Sequence, residues 1–188
     1  MNPTQTGTPA TARSRTLTHP GPFNPVRIQS KRCARGRHFR LKLQPGLSLF
    51  DALIKPLQSA GVGSASVTIL GGYFDNLDYC VAPPDPTKSS VIAYTPPIAA
   101  GCGFMIFGNA TVGKNADGAP IVHCHAALRT EAGDIKGGHI ITQTCIVGMQ
   151  GASALVTTLD GFELRVTFDA ETNIALLKPQ DQEMSRHE

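Results

Sequence analysis

Val122-His123-Cys124-His125-Ala126-Ala127-Leu128-Arg129-Thr130-Glu131-Ala132-Gly133-Asp134-Ile135-Lys136-Gly137-Gly138-His139 is the stretch that organises this chain, and it holds three of the six histidines. His123 and His125 lie two residues apart in a segment of β character. Strand side chains alternate between faces, so the two imidazoles share one face and Cys124 points to the other. Thr130-Glu131-Ala132-Gly133-Asp134 follows as a turn signal. A three-residue hairpin loop ends on a left-handed residue, and Gly133 suits that place. With Glu131–Gly133 as the loop, His125 faces His139 across the hairpin, with Cβ atoms about 5 Å apart. His123 is one pleat further along. Three neutral imidazoles converging on one point make a nitrogen-rich site for zinc or a similar divalent transition metal, with at least one open position. Taken alone, an H-x-H pair on a strand reads as two surface residues. The third histidine, at the distance a hairpin requires, is what turns the pair into a candidate site.

The rest of the chain predicts an α+β fold. We expect a largely antiparallel sheet, sandwich-like or barrel-like, with one main helix packed on it. His38 to Leu43 alternates, with Phe39, Leu41 and Leu43 on one face, and reads as the first strand. Ser48 to Ala60 is the best helix. Ser48 can cap it with Asp51 three residues on, Phe50, Leu53, Ile54 and Leu57 form an apolar stripe, Pro56 predicts a kink and Gly61 a stop. Val62 to Leu70 and Tyr73 to Val81 read as two strands separated by Gly71-Gly72. Ala82 to Ser90 is a proline-rich loop, and Val91 to Tyr94 a short strand. Gly101 to Gly108 reads as a buried strand whose glycines match no nucleotide-binding fingerprint. The second arm of the histidine hairpin is expected to run on to Val147. Ala152 to Thr158, Phe162 to Phe168 and Ile174 to Leu177 close the fold, with Asp160-Gly161 as a hairpin signal.

Charge is distributed unevenly along the 188 residues. The first 50 carry nine Lys or Arg and no acid, a net +9, whereas the remainder carries eight basic residues against 14 acids, a net −6. We therefore read residues 1–36 as a disordered basic arm suited to an anionic partner such as DNA, 37–178 as the folded metal-binding domain, and 179–188 as a charged tail. No apolar run is long enough to span a membrane, and Met1 to Pro20 lacks the apolar core of a secretory signal, so a cytoplasmic location is expected. The five cysteines form no C-x-x-C pair and are expected to be buried reduced thiols.

The order of strand, Leu43-Gln44-Pro45-Gly46, helix, Ala60-Gly61-Val62-Gly63-Ser64-Ala65-Ser66-Val67, His123-x-His125 and Gly137-Gly138-His139 resembles the PPC domain, the domain shared by plants and prokaryotes. The resemblance covers about residues 37–178. It implies a homotrimer, association with DNA or a regulatory role, and metal ligation by His123, His125 and His139. Plant members carry an Arg-Gly-Arg-Pro hook for the minor groove of DNA. Here Arg35-Gly36-Arg37-His38 lacks the proline and leads straight into the first strand. The plant Gly-Arg-Phe-Glu-Ile segment is replaced by Cys102-Gly103-Phe104-Met105-Ile106. Two further readings follow from the open metal position: a metal-dependent enzyme or small-molecule binder, with Glu131, Asp134 and Thr142 as the nearest candidates to orient the imidazoles and Arg129 as a candidate anion contact; and, as a minor alternative, a cupin-like site that enlists Glu131. His38, His19 and His187 read as strand decoration and tail residues.

Overall fold

The computed structural model describes residues 17–27 and 29–181. Eight strands and one helix follow in the order β1 (His38–Leu43), α1 (Leu49–Ser59), β2 (Ala65–Cys80), β3 (Ile98–Lys114), β4 (Pro120–Thr130), β5 (Ile135–Ile140), β6 (Ile146–Thr158), β7 (Glu163–Asp169) and β8 (Ile174–Gln180). They form one sheet in the order β1-β6-β2-β5-β4-β3-β7-β8, with β2 also paired to β3. All ladders are antiparallel except a single parallel contact, Lys114 to Arg165. Among the described residues the fold is thus mostly β with one short helix. The barrel-like closure expected from the sequence is absent, because β1 pairs only with β6 and β8 only with β7, which leaves two open edges.

Helix α1 starts where its cap dictates. Ser48 is extended, and its hydroxyl accepts the Asp51 amide at 3.0 Å, which satisfies one of the otherwise unpaired amides of the first turn. Leu49, Ala52, Leu53, Ile54 and Leu57 are buried, so the stripe is centred one residue earlier than Phe50, which is only half-buried. This stripe joins Val67, Ile69, Ala110, Val112, Val122, Cys124, Ala154 and Val156 in one core cluster. Those sheet residues are every second one along four adjacent strands, so the helix covers one face and leaves the other open. On the open face Leu70, Phe107 and Leu155 are 46–49% exposed.

Several elements differ from the sequence reading for reasons of long-range pairing. The two strands expected around Gly71-Gly72 are one 16-residue strand, β2, whose ladder to β3 keeps its register across that dipeptide while its ladder to β6 shifts there. Val91 to Tyr94 forms only an isolated bridge, Pro84 to Ile92. The run expected to be buried in β3 is half-buried: Met105 is in the core, but Phe104, Ile106 and Phe107 are exposed around a register shift. The second hairpin arm ends at Ile140. There Thr144 and Cys145 return hydrogen bonds to Ile141 and start a turn before β6. Asp160-Gly161 is no hairpin, because β6 and β7 are not paired. The hairpin lies between β7 and β8 and turns through Asn173 at φ 55°.

Residues 17–27 and 29–37 contain no helix or strand, but they lie along the domain. Glu171, in the β7–β8 turn, accepts from His19 Nδ1 at 2.7 Å and from the Asn24 amide at 2.9 Å. Arg37 donates to Asp160 and to the Ala60 carbonyl, and its amide donates to Thr158, so Arg35-Gly36-Arg37 leads into β1 as the missing proline implied. Arg13, Arg15, His187 and the tail beyond 181 lie outside the described residues.

Candidate metal centre

Alternation along β4 sets the site. Val122 and Cys124 are buried in the core, so His123 and His125 stand on the open face. Across the hairpin His125 is the direct partner of His139. The turn has the expected form: Thr130 donates to Asp134, Gly133 donates back to Thr130, and Gly133 sits at φ 89°. Gly137-Gly138 has a separate purpose. A Cβ at 137 would stand 2.5 Å from the Ala126 carbonyl, and one at 138 would stand 2.4 Å from the Cys80 carbonyl. Only glycine lets β5 pass between β4 and the end of β2, where Cys80 pairs with His139. The dipeptide therefore sets the height at which the third imidazole enters the cluster.

The three rings are mutually close. Their centroids are 4.9 Å apart for His123–His125, 4.7 Å for His123–His139 and 5.5 Å for His125–His139. The Nε2 atoms of His123 and His125 are 3.1 Å apart. One nitrogen from each ring lies within 4.8 Å of the other two. Nitrogens sharing a tetrahedral ion at about 2.05 Å stand ~3.3 Å apart, so small ring rotations would complete such a sphere. Burial, then the neighbouring imidazoles, lower the His139 pKa to about 4; burial and then His125 lower that of His123. At neutral pH both rings are therefore uncharged, the form a metal requires. His139 Nδ1 is the one buried side-chain polar atom without a hydrogen-bond partner among the described residues. An orphaned buried nitrogen is costly in a folded protein unless something else satisfies it. The donor set and this orphan fit a bound cation.

The side chains flagged as possible orienting groups lie elsewhere. Glu131 accepts from Tyr73 at 2.9 Å, Asp134 pairs with Lys136 and Thr142 donates to Gln143. None is hydrogen-bonded to an imidazole, and with Glu131 so engaged a cupin-like site is set aside. Arg129 is exposed and four residues along β4 from His125. His38 decorates β1 and meets Thr157, whereas His19, expected in a tail, is held by Glu171. The sequence reading missed three neighbours. Tyr94 has its ring centroid 5.2 Å from that of His139, and Asn109 and Thr111 stand opposite His125 and His123 on β3. The β3–β4 register would have pointed to the last two. Nothing local signals Tyr94.

Residues 30–156, two thirds of the chain, match the Plants and Prokaryotes Conserved (PCC) domain. The chain belongs to this family. No curated protein matches it. Among solved structures, the metal-containing protein AF0104 of Archaeoglobus fulgidus superposes with a TM-score of 0.62 at 19% identity, covering 80% of this chain and 98% of its own. A plant- and prokaryote-conserved (PPC) protein of Pyrococcus horikoshii gives a TM-score of 0.58 at 20% identity, covering 80% and 96%. A candidate DNA-binding protein of Ralstonia eutropha JMP134 gives 0.58 at 18%, covering 75% and 89%. At these identities the likeness is one of fold. Within this PCC domain, Cys102-Gly103-Phe104-Met105-Ile106 carries a buried Met105 and an exposed Phe104.

Proposed function

We propose that this PCC-domain chain is a metal-binding module in which His123, His125 and His139 hold zinc or a similar divalent ion and leave one position open. The observation that carries this reading is the meeting of three imidazole nitrogens within 4.8 Å, one ring of which has a buried nitrogen without a partner. A bound ion of this kind would act as a Lewis acid toward a ligand at its open position. His125 is the exposed member of the three, so the open position faces outward from the sheet. The relative named as metal-containing supports the reading.

The module works as a homotrimer with a DNA-associated, regulatory role. The open sheet face, which carries Leu70, Phe107 and Leu155 as well as His123 and His125, is the surface that self-association would cover. Arg32, Arg35, Arg40 and Lys42 are exposed and make no ion pair among the described residues, which suits them to phosphates. Two relatives, from Ralstonia eutropha and Bacteroides thetaiotaomicron, are named as candidate DNA-binding proteins. A metal-dependent enzyme or small-molecule binder is the second reading, favoured by the open position. Binding ranks above catalysis because no carboxylate or lysine is hydrogen-bonded to the cluster among the described residues. Among the described residues no helix is long and apolar enough to cross a membrane; a cytoplasmic location is part of the proposal.

Elemental analysis of the purified protein together with its native mass tests the proposal. One ion per chain and a threefold mass are expected, with the ion lost in His125→Ala. A metal-free protein, or a His125→Ala variant that keeps its ion, would contradict it.

A further inference from the structure

Glu171 is a second built site, far in sequence from the histidines. Its side chain is 5% exposed, yet it lies in the β7–β8 turn and, among the described residues, its hydrogen-bond and ion-pair partners come from the N-terminal segment. Oε1 meets His19 Nδ1 at 2.7 Å and Arg27 Nη2 at 2.6 Å, and Oε2 accepts the Asn24 amide at 2.9 Å. The Glu171 carbonyl accepts the Gly21 amide at 2.9 Å. The Arg27 guanidinium also lies over the Phe23 ring at 4.7 Å, which holds it in place for the carboxylate. The approach is close: a Cβ at position 21 would stand 1.7 Å from the Ala170 carbonyl oxygen. Beyond these contacts, a cavity of about 360 Å³ separates Val26 and Gln29 from Leu176, Leu177 and Pro179 on the edge strand β8. The segment therefore lies against the turn by charge, backbone bonds and shape, with Lys31–Asp181 and Arg37–Asp160 as further pairs down its length.

Each of these pairs joins a cation of the basic first 50 residues to a carboxylate of the acidic remainder of the chain. A guanidinium that makes a charge-assisted bond to a buried carboxylate cannot make the same bond to a phosphate. We propose that residues 17–27 are a strap docked on the chain's own β7–β8 turn through Glu171, which in this position withholds the Arg27 guanidinium from a polyanionic partner. This rests on the reading of the basic segment as a DNA contact. Release of the strap and phosphate binding are then linked. A polyanion must outcompete Glu171, and whatever loosens the strap raises affinity for the polyanion.

The test uses the full chain, Glu171→Gln and Gly21→Ala. The second variant leaves every charge in place and lies outside the sheet. Amide hydrogen exchange over residues 17–27 and titration with a random-sequence DNA duplex at low salt are measured for all three, with melting temperature as the check on folding. Loss of the Glu171 side-chain bonds in one variant, and the clash with Ala170 in the other, should speed exchange at the amides of residues 21 and 24 by about tenfold or more. Both variants should bind the duplex several-fold more tightly. Unchanged exchange in both would overturn the strap. Faster exchange with tighter binding only in Glu171→Gln would reduce the effect to net charge and overturn the masking. Faster exchange with no duplex binding by any of the three would overturn the masking through failure of the DNA reading, while the strap itself would stand.

Discussion

The histidine hairpin and the basic N-terminal segment are held in place by opposite means. The hairpin is set by neighbours: a turn closed by Gly133, a five-pair ladder from His125–His139 to Arg129–Ile135, and a core that takes Cys124. The segment is set by a carboxylate about 150 residues away, with 147 separating Asn24 from Glu171. Local determinants tolerate loss of any one distant contact. A segment held chiefly at one distant residue loosens as a unit when that residue's side chain changes. The contrast teaches that the hairpin is fixed by its own neighbours, whereas the placement of the segment depends on distant partners, as the proposed strap requires.

The largest expected effect tests the platform's chemistry. Losing a partner of a metal ligand costs 10–100-fold in affinity, so His125→Ala, which removes a ligand outright, should weaken divalent-ion binding by more than about 100-fold, measured by calorimetric titration. A smaller loss would mean that the two remaining rings, or other groups, hold the ion. Gly138→Ala comes next. The new methyl would collide with the Cys80 carbonyl, so β5 must shift, and a loss of about 1–3 kcal/mol is expected in urea denaturation. A neutral result would mean that β5 slides freely and does not fix His139.

The pH response of the metal-free protein sharpens the comparison further. The folded pKa of His139, about 4, lies below its unfolded value near ~6.5, so between those values the unfolded chain binds more protons. The ring's contribution is full above pH ~6.5 and is lost as pH falls toward 4. For a ring only partly buried the expected change is about 1–2 kcal/mol. Because carboxylates titrate over part of the same range, the measurement is the difference between the parent and His139→Gln, whose stability curve should be flatter between pH 7 and 4. Identical curves would show that His139 is not desolvated. At the small end, Lys31→Ala removes an ion pair with a largely exposed Asp181 and should leave the melting temperature unchanged. A clear drop would make the segment part of the fold rather than a strap on it.

What could be read before the structure divides along the same line. The helix cap at Ser48, the inward Cys124 and the His125–His139 partnership follow from periodicity, caps and turn chemistry, all of which act over a few residues. The continuity of β2 through Gly71-Gly72 was hidden, since glycines there read as a break, and only ladders to β3 and β6 carry the strand across. Asp160-Gly161 has hairpin chemistry but joins strands that do not pair, because β7 finds β8 and the end of β3 instead. The exposure of Phe104, Ile106 and Phe107 reflects which face the helix covers, a tertiary choice that an apolar run does not reveal. Glu171 gave no signal at all: its partners are 144 to 152 residues away.

The most direct test of the account is X-ray absorption at the metal edge of protein loaded with one zinc ion per chain. Three nitrogen scatterers at about 2.0–2.1 Å with imidazole multiple scattering, and no sulfur, are predicted, because His123, His125 and His139 share a face from which Cys124 is turned away. A sulfur shell near ~2.3 Å, or fewer than three imidazoles, would contradict it.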